Sequence, residues 1–241
     1  MQHPRPFRIS LLCLALAAAS LMPKGAAAAT GAVRDGPPTT HTADPAHLAA
    51  EQTIAALRAR APRLRLAWQR DGRLPALIAG LAVPTQGESP TARARSFLLA
   101  HPALIGGAAR QLREAGVSQS HGRTVVRFEA LVADLPLLDR SLSVSLDAEQ
   151  RVFALVSDLP ALAAIPDAKI SAATASAAVR ALPRMANAAL ATPIAAIWQP
   201  AGRPVRVWMV DTVVVAGASH VRVLVDATTG AVVAQTERVI R

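Results

Sequence analysis

The spacing of apolar residues along the chain alternates between a helical period and a strand period. Three segments with helical spacing predict helices over about 45–60, 90–100 and 172–182. Each follows a residue typical of a helix N-cap, namely Asp44, Ser89 and Ser171. A fourth, short helix is predicted over 108–115, closed by Gly116.

Between these helices, apolar and polar residues alternate with a period of two, which predicts strands. Asp71-Gly72 and the segment 226–230 are turn signals between such strands. The predicted strands lie near 64–68, 77–83, 125–132, 142–147, 152–156, 194–198, 205–215, 221–225 and from 231 onward. Because helices precede each group of strands, the order predicts an α+β fold of two small lobes, each a curved antiparallel sheet packed against helix.

The first 29 residues have the pattern of a secretory signal peptide. Arg5 and Arg8 precede an apolar run over 9–22, and alanines at 26–29 offer cleavage sites. This run is shorter than the roughly 20 residues that a membrane-spanning helix needs, so a membrane anchor is the less favoured alternative. We therefore expect a secreted or periplasmic protein with no stable membrane span after signal cleavage.

The predicted organisation has four segments. Residues 30–44 lack periodicity and are expected to form a flexible linker. A proline-bearing stretch at 159–167 then separates the two predicted lobes. The segments are a signal peptide over 1–29, a linker over 30–44, an N-terminal lobe over 45–165 and a second lobe over 166–241.

Composition narrows the class of function. The formal net charge is +10, but the arginines are scattered and aromatic residues make up only 3% of the chain, which argues against a nucleic-acid partner. With 52% hydrophobic residues, the chain can bury a core. The single cysteine, Cys13, lies in the predicted signal peptide, so we expect no disulfide and no cysteine metal site in the mature chain.

Motifs of known catalytic chemistry are missing from the sequence. It contains no His-Glu-x-x-His, no Gly-x-Ser-x-Gly and no phosphate-binding loop, and no two histidines have metal-ligand spacing on a helix. Asp134 and Asp139 flank the segment 135–138, and we interpret them as part of a polar turn between two strands. The sequence therefore predicts a protein that is not an enzyme and holds no cofactor and no metal, although a site assembled from distant residues stays open.

An ordered set of segments resembles the propeptide of thermolysin-like and fungalysin-like metalloproteases, and its second half resembles the PepSY module. The set covers about residues 50–240, and its most specific piece is Val-Asp-Ala-Thr-Thr-Gly. The segments are Trp68…Asp71-Gly72-Arg73-Leu74-Pro75…Gly80, then 92–98, then Val126-Arg127-Phe128…Leu135-Pro136-Leu137, and then 221–230.

The resemblance implies two PepSY/cystatin-like lobes that act as inhibitor or folding chaperone of a secreted zinc metalloprotease. The partner would be that protease domain, bound without a cofactor. The family often has glutamine, an aromatic residue and glycine where this chain has Ala130, Leu131-Val132 and Asp134. This departure favours the alternative, a non-catalytic cell-envelope binding module that kept the fold and lost the protease.

The last residues are the predicted partner contact. Val239 and Ile240 would suit an apolar specificity pocket, and Arg238 and Arg241 flank them. The competing interpretation is a frayed or strand-bound terminus.

Overall fold

The computed structural model describes residues 44–107, 110–161, 164–200, 203–214 and 219–238. The predicted signal peptide over 1–29 and residues 30–43 of the predicted linker lie outside these ranges. None of the helices within them is both long enough and apolar enough to cross a membrane.

The described residues form three α-helices, which are α1 (Pro45–Arg60), α2 (Pro90–Ala100) and α3 (Ala172–Arg180), and a short 3-10 helix at Pro102–Ile105. The predicted caps begin the three α-helices. Asp44, Ser89 and Ser171 each accept a hydrogen bond from a backbone N–H in the first turn. The prediction of these three helices is therefore confirmed.

The same residues form eleven strands. These are β1 (Arg65–Trp68), β2 (Pro75–Val83), β3 (Gln111–Ser120), β4 (Arg123–Val132), β5 (Leu135–Leu146), β6 (Val152–Ser157), β7 (Ala189–Leu190), β8 (Ile194–Trp198), β9 (Val205–Val214), β10 (Ser219–Asp226) and β11 (Val232–Arg238).

The strands form one curled, mixed sheet. Its main order is β1-β2-β6-β5-β8-β9-β10-β11, with β3 attached through β4 to β5 and with β7 on β9. The pairs are antiparallel except for β5 with β8, which are parallel where Leu137 lies opposite Ile197.

The predicted fold of two separate lobes is therefore wrong. The reason is that β5 begins at Leu135, well before the predicted strand start at Leu142, and its first residues reach β8. Ile197 is fully buried and belongs to the same hydrophobic cluster as Leu137, although it lies beyond the predicted lobe boundary at 165. We call this junction of β5 with β8 the seam.

The predicted short helix over 108–115 is also wrong where the structure describes it. Residues 111–120 form β3, which pairs antiparallel with β4 through a tight turn at His121-Gly122. Both turn residues have positive φ, at 50° and 72°, as a type I′ hairpin turn requires. Most of β3 is exposed, so the burial that produces a readable apolar period is missing.

Helices pack against two parts of the sheet. Phe97 and Leu98 of α2 are buried against the first part of the sheet together with Phe128 and Leu142. In the second part, Val179 of α3 packs in a cluster built mainly of valines on β9 and β10. A third, small cluster lies around Ala196, Val207 and Leu224.

Candidate binding groove at the seam

An open groove of about 760 Å³ lies beside the seam. Four parts of the chain line it: the β1–β2 turn together with Ala76 of β2, Arg140 of β5, the segment 157–161 at the end of β6, and Gln199-Pro200 after β8. Residues on both sides of the predicted lobe boundary therefore build one surface.

The β1–β2 turn holds one wall of the groove in place. The N–H of Gly72 donates to the carbonyl of Gln69 at 2.8 Å, and Gly72 has a φ of 69°, which a residue with a side chain rarely adopts. The side chain of Gln69 donates to the carbonyls of Ser157 and Leu159, at 3.3 and 3.0 Å. These bonds hold the turn against the end of β6 and the residues after it. They therefore fix the position of the backbone from which the Arg70 side chain extends.

A local irregularity of β5 positions the second wall. Asp139 has a φ of 56°, which is uncommon for a residue other than glycine and interrupts the regular strand. The next residue, Arg140, donates from Nη2 to the carbonyl of Gln199 at 2.9 Å. This bond connects β5 to the end of β8 directly at the groove.

The charged groups of the groove are three arginines, Arg70, Arg73 and Arg140, and two aspartates, Asp71 and Asp158. Both aspartates already accept a backbone hydrogen bond. Asp71 accepts from the N–H of Arg73 at 3.1 Å, and Asp158 accepts from the N–H of Ser141. Each aspartate keeps acceptor capacity on its remaining lone pairs, so the groove offers both guanidinium donors and carboxylate acceptors.

The three arginines differ in how far they are engaged. Arg73 pairs through Nε with Asp44 at 3.0 Å, and half of its side chain is exposed. Arg140 uses one of its donors on Gln199. Arg70 is exposed, and no hydrogen bond or ion pair joins it to another described residue. Of the three arginines, Arg70 therefore keeps the most donors available to a ligand.

The aspartates singled out in the sequence are placed differently from each other. Asp134 follows Ala133 in the tight turn between β4 and β5, with φ values of 62° and 50°, which confirms the predicted turn. Asp139 lies inside β5, so the part of the prediction that placed it in the same turn is wrong. The pKa of Arg222 is raised mainly by its hydrogen bond with Asp211, and Asp139 adds a smaller electrostatic contribution.

The predicted contact residues at the end of the chain are only partly described. Arg238 is the last residue of β11, and its backbone lies opposite His220 of β10. Val239, Ile240 and Arg241 lie outside the described residues. Within the described ranges, no group of three His, Cys, Asp or Glu side chains is placed to hold a metal ion.

Sequence reasoning did not identify the groove arginines. The Asp71-Gly72 turn signal is a local pattern that could have pointed to Arg70 and Arg73, because turns usually lie on the surface. The link between Arg140 and Gln199 joins residues 59 positions apart, and no local pattern marks it.

Comparison with known proteins gives limited information. No family model matches the chain, and no curated protein matches it. Among solved structures, the chain is similar to the Bacillus megaterium YpeB C-terminal domain, with 14% identity and a TM-score of 0.40, over 78% of this chain and 95% of that one. At this identity and TM-score the likeness does not establish a family, so the resemblance to protease propeptides and to the PepSY module stays a prediction. A likeness of this size carries no argument about function.

Proposed function

We propose that this protein is a non-catalytic, exported binding domain that receives an acidic segment of a partner protein in the seam groove. The expected partner is a secreted zinc metalloprotease, on which the domain acts as an inhibitor or folding chaperone. The observation that carries the proposal is the groove itself, where Arg70 is exposed and has no hydrogen-bond or ion-pair partner among the described residues.

The chemistry of the groove favours a carboxylate-bearing partner. A guanidinium binds a carboxylate through paired N–H donors and is weakly hydrated, so arginine is common at the centre of protein interfaces. Asp71 and Asp158 each accept one backbone hydrogen bond, whereas Arg70 has all of its donors free of other described residues. An acidic segment therefore fits the groove better than a basic one.

A binding role also fits how a propeptide acts. A domain that binds only the folded state of its partner stabilises that state, and the same contact can cover an active site. The resemblance to protease propeptides supplies the class of partner, and the groove supplies a place for contact. The tail at Arg238, Val239, Ile240 and Arg241 stays a second predicted contact.

The test is a titration of a thermolysin-like protease domain with the purified protein, read out as hydrolysis of a peptide substrate. We expect progressive slowing with the wild type. Arg70→Glu should raise the concentration for half inhibition at least about tenfold, because it places a negative charge where the segment binds. Arg70 is exposed, so this change should leave the fold intact.

Arg184→Glu is the matched control, since it makes the same charge change at an exposed arginine that does not line the groove. It should inhibit like the wild type. Absence of slowing at about a hundredfold excess would overturn the protease part of the proposal. Retained binding to isolated envelope material in that case would favour the cell-envelope module instead.

A further inference from the structure

Among the residues that the structure describes, Arg110 is a buried cation without an acidic partner. It lies just before β3 and is only 5% exposed. Its Nη2 donates to the carbonyl of Pro160, while Nε and Nη1 are buried and have no hydrogen-bond partner. Burial alone lowers the pKa of Arg110 to about 10, and no carboxylate acts on it. A charged group in this position is unfavourable unless something compensates it.

An apolar cavity adjoins this arginine. Its volume is about 390 Å³, within the range of small-molecule sites, and Arg110 forms part of its wall. Most of the remaining wall is apolar and comes from α2, from the 3-10 helix and from the start of β3. The apolar lining residues are Leu98, Leu99, Pro102, Ile105 and Leu112.

The charge of the cavity has one sign. Arg95 is the second charged residue that lines it, and no acidic side chain does. Arg95 is exposed, whereas Arg110 is buried, so one cation stands at the solvent side and the other stands deeper. Leu99 also lines the cavity and is 80% exposed, which is unusual for a leucine and places it at the opening.

Gly106 makes room for the guanidinium. It has a φ of 83°, and a Cβ at this position would lie 3.3 Å from Nη2 of Arg110 and 3.3 Å from Cδ1 of Leu74. A larger residue would strain the backbone and crowd the arginine. The local backbone is thus compatible with the buried position of Arg110 because this residue is glycine.

We propose that this space, the Arg110 cavity, binds a small organic carboxylate with an unbranched apolar tail, of the medium-chain fatty acid type. The tail would contact the leucines and Ile105. Nε and Nη1 of Arg110 are shielded from solvent in this conformation, so the carboxylate would accept from them after the guanidinium turns toward the cavity that Arg110 lines. The cavity shares no lining residue with the seam groove, although Arg110 donates to the carbonyl of Pro160, which lines that groove. The proposal does not depend on a protease partner.

The test uses decanoate as the probe, with decan-1-ol as the uncharged molecule of the same chain length. Binding is measured by calorimetry and by the NMR signal of the Arg110 Nε–H. We expect saturable binding of decanoate with a shift of that signal, and binding of decanol at least about tenfold weaker, because a charge-assisted hydrogen bond is lost. Equal binding of the two molecules, or no saturation by about 1 mM decanoate, would overturn the proposal.

Two variants locate the site. Arg110→Gln should weaken decanoate binding at least about tenfold, provided that circular dichroism shows a folded protein. Leu99→Asp should weaken it as well, through repulsion at the opening, and Leu99 is too exposed for the change to unfold the chain. Ile194→Asp is the control, because Ile194 is 51% exposed and does not line the cavity. Unchanged affinity in Leu99→Asp would contradict the site even if Arg110→Gln does not fold.

Discussion

The two parts of the sheet on either side of the seam bury different kinds of side chain. The part under α1 and α2 buries large residues, among them Phe97, Phe128 and Leu142, with almost no exposed surface. The part under α3 buries mainly alanine and valine, with Met185 as its longest side chain. Large side chains remove more apolar area from water per residue, so the first part contributes more to stability.

The second part of the sheet gains additional stability from its contacts with the first part. Ile197 of β8 is buried in the large cluster, and Leu138 of β5 packs against the small cluster around Val207. The seam therefore joins the two cores as well as the two sets of strands. Because residues of both parts line the groove beside the seam, the groove exists only when both parts are folded.

The largest expected effect is the loss of stability when a large core side chain of the first part is truncated. Phe128→Ala should lower the free energy of unfolding by about 3–5 kcal/mol, because it removes a fully buried aromatic ring. Val210→Ala, the matched change in the second part, should lower it by about 1.5–2.5 kcal/mol. Urea unfolding measures both, and equal losses would break the comparison.

The next effect concerns the seam. Ile197→Ala should lower the free energy of unfolding by about 2–4 kcal/mol, since Ile197 is fully buried in the first cluster but is carried by a strand of the second part.

The wild type should unfold in one transition. Trp68 reports on the first part, and Trp208, whose Nε1 donates to the Ile170 carbonyl at 3.1 Å, reports on the second.

Single-tryptophan versions of the chain separate the two signals. When the seam residues are unchanged, the fluorescence of Trp68 and that of Trp208 should change at the same urea concentration. Two well-separated midpoints would mean that the parts fold independently and that the seam contributes little.

The smallest effect is a pH dependence located in the first part. The pKa of His101 is lowered from 6.5, first by burial and second by the charge of Arg60. The unfolded chain therefore binds the proton more readily than the folded protein does, so stability should fall as the pH falls through about 6.5 and level off below the lowered folded pKa.

The measurement is the urea midpoint at several pH values between 5 and 8 in wild type and in His101→Gln. The variant should lose part of the decline. His121→Asn is the control, because His121 is an exposed turn residue. A decline that is the same in His101→Gln and in wild type would assign it to other groups.

The local features of the fold could be predicted from the sequence, and the long-range ones could not. Ser89 with Pro90 and Asp71 with Gly72 determine their own helix start and turn, because the interactions span only a few residues. The start of β5 was missed since Pro136 and the two flanking aspartates resemble a turn. Its partner Ile197 lies 60 positions away, and strand pairing across such a distance leaves no local pattern.

The candidate site shows the same division. The turn that carries Arg70 was predicted, whereas the approach of Arg140 to Gln199 depends on the seam and could only be seen in three dimensions. The buried Arg110 was missed for a different reason. Its neighbours in sequence suggested a helix, and nothing in a residue's own type shows that it lacks a partner.

Hydrogen–deuterium exchange of the protein bound to a thermolysin-like protease domain tests the central claim most directly. If the groove receives the partner, peptides that contain 69–73, 157–161 and 199–200 should exchange more slowly in the complex, while α3 is unchanged. Protection confined to the C-terminal residues, with the groove peptides exchanging as in the free protein, would contradict the account.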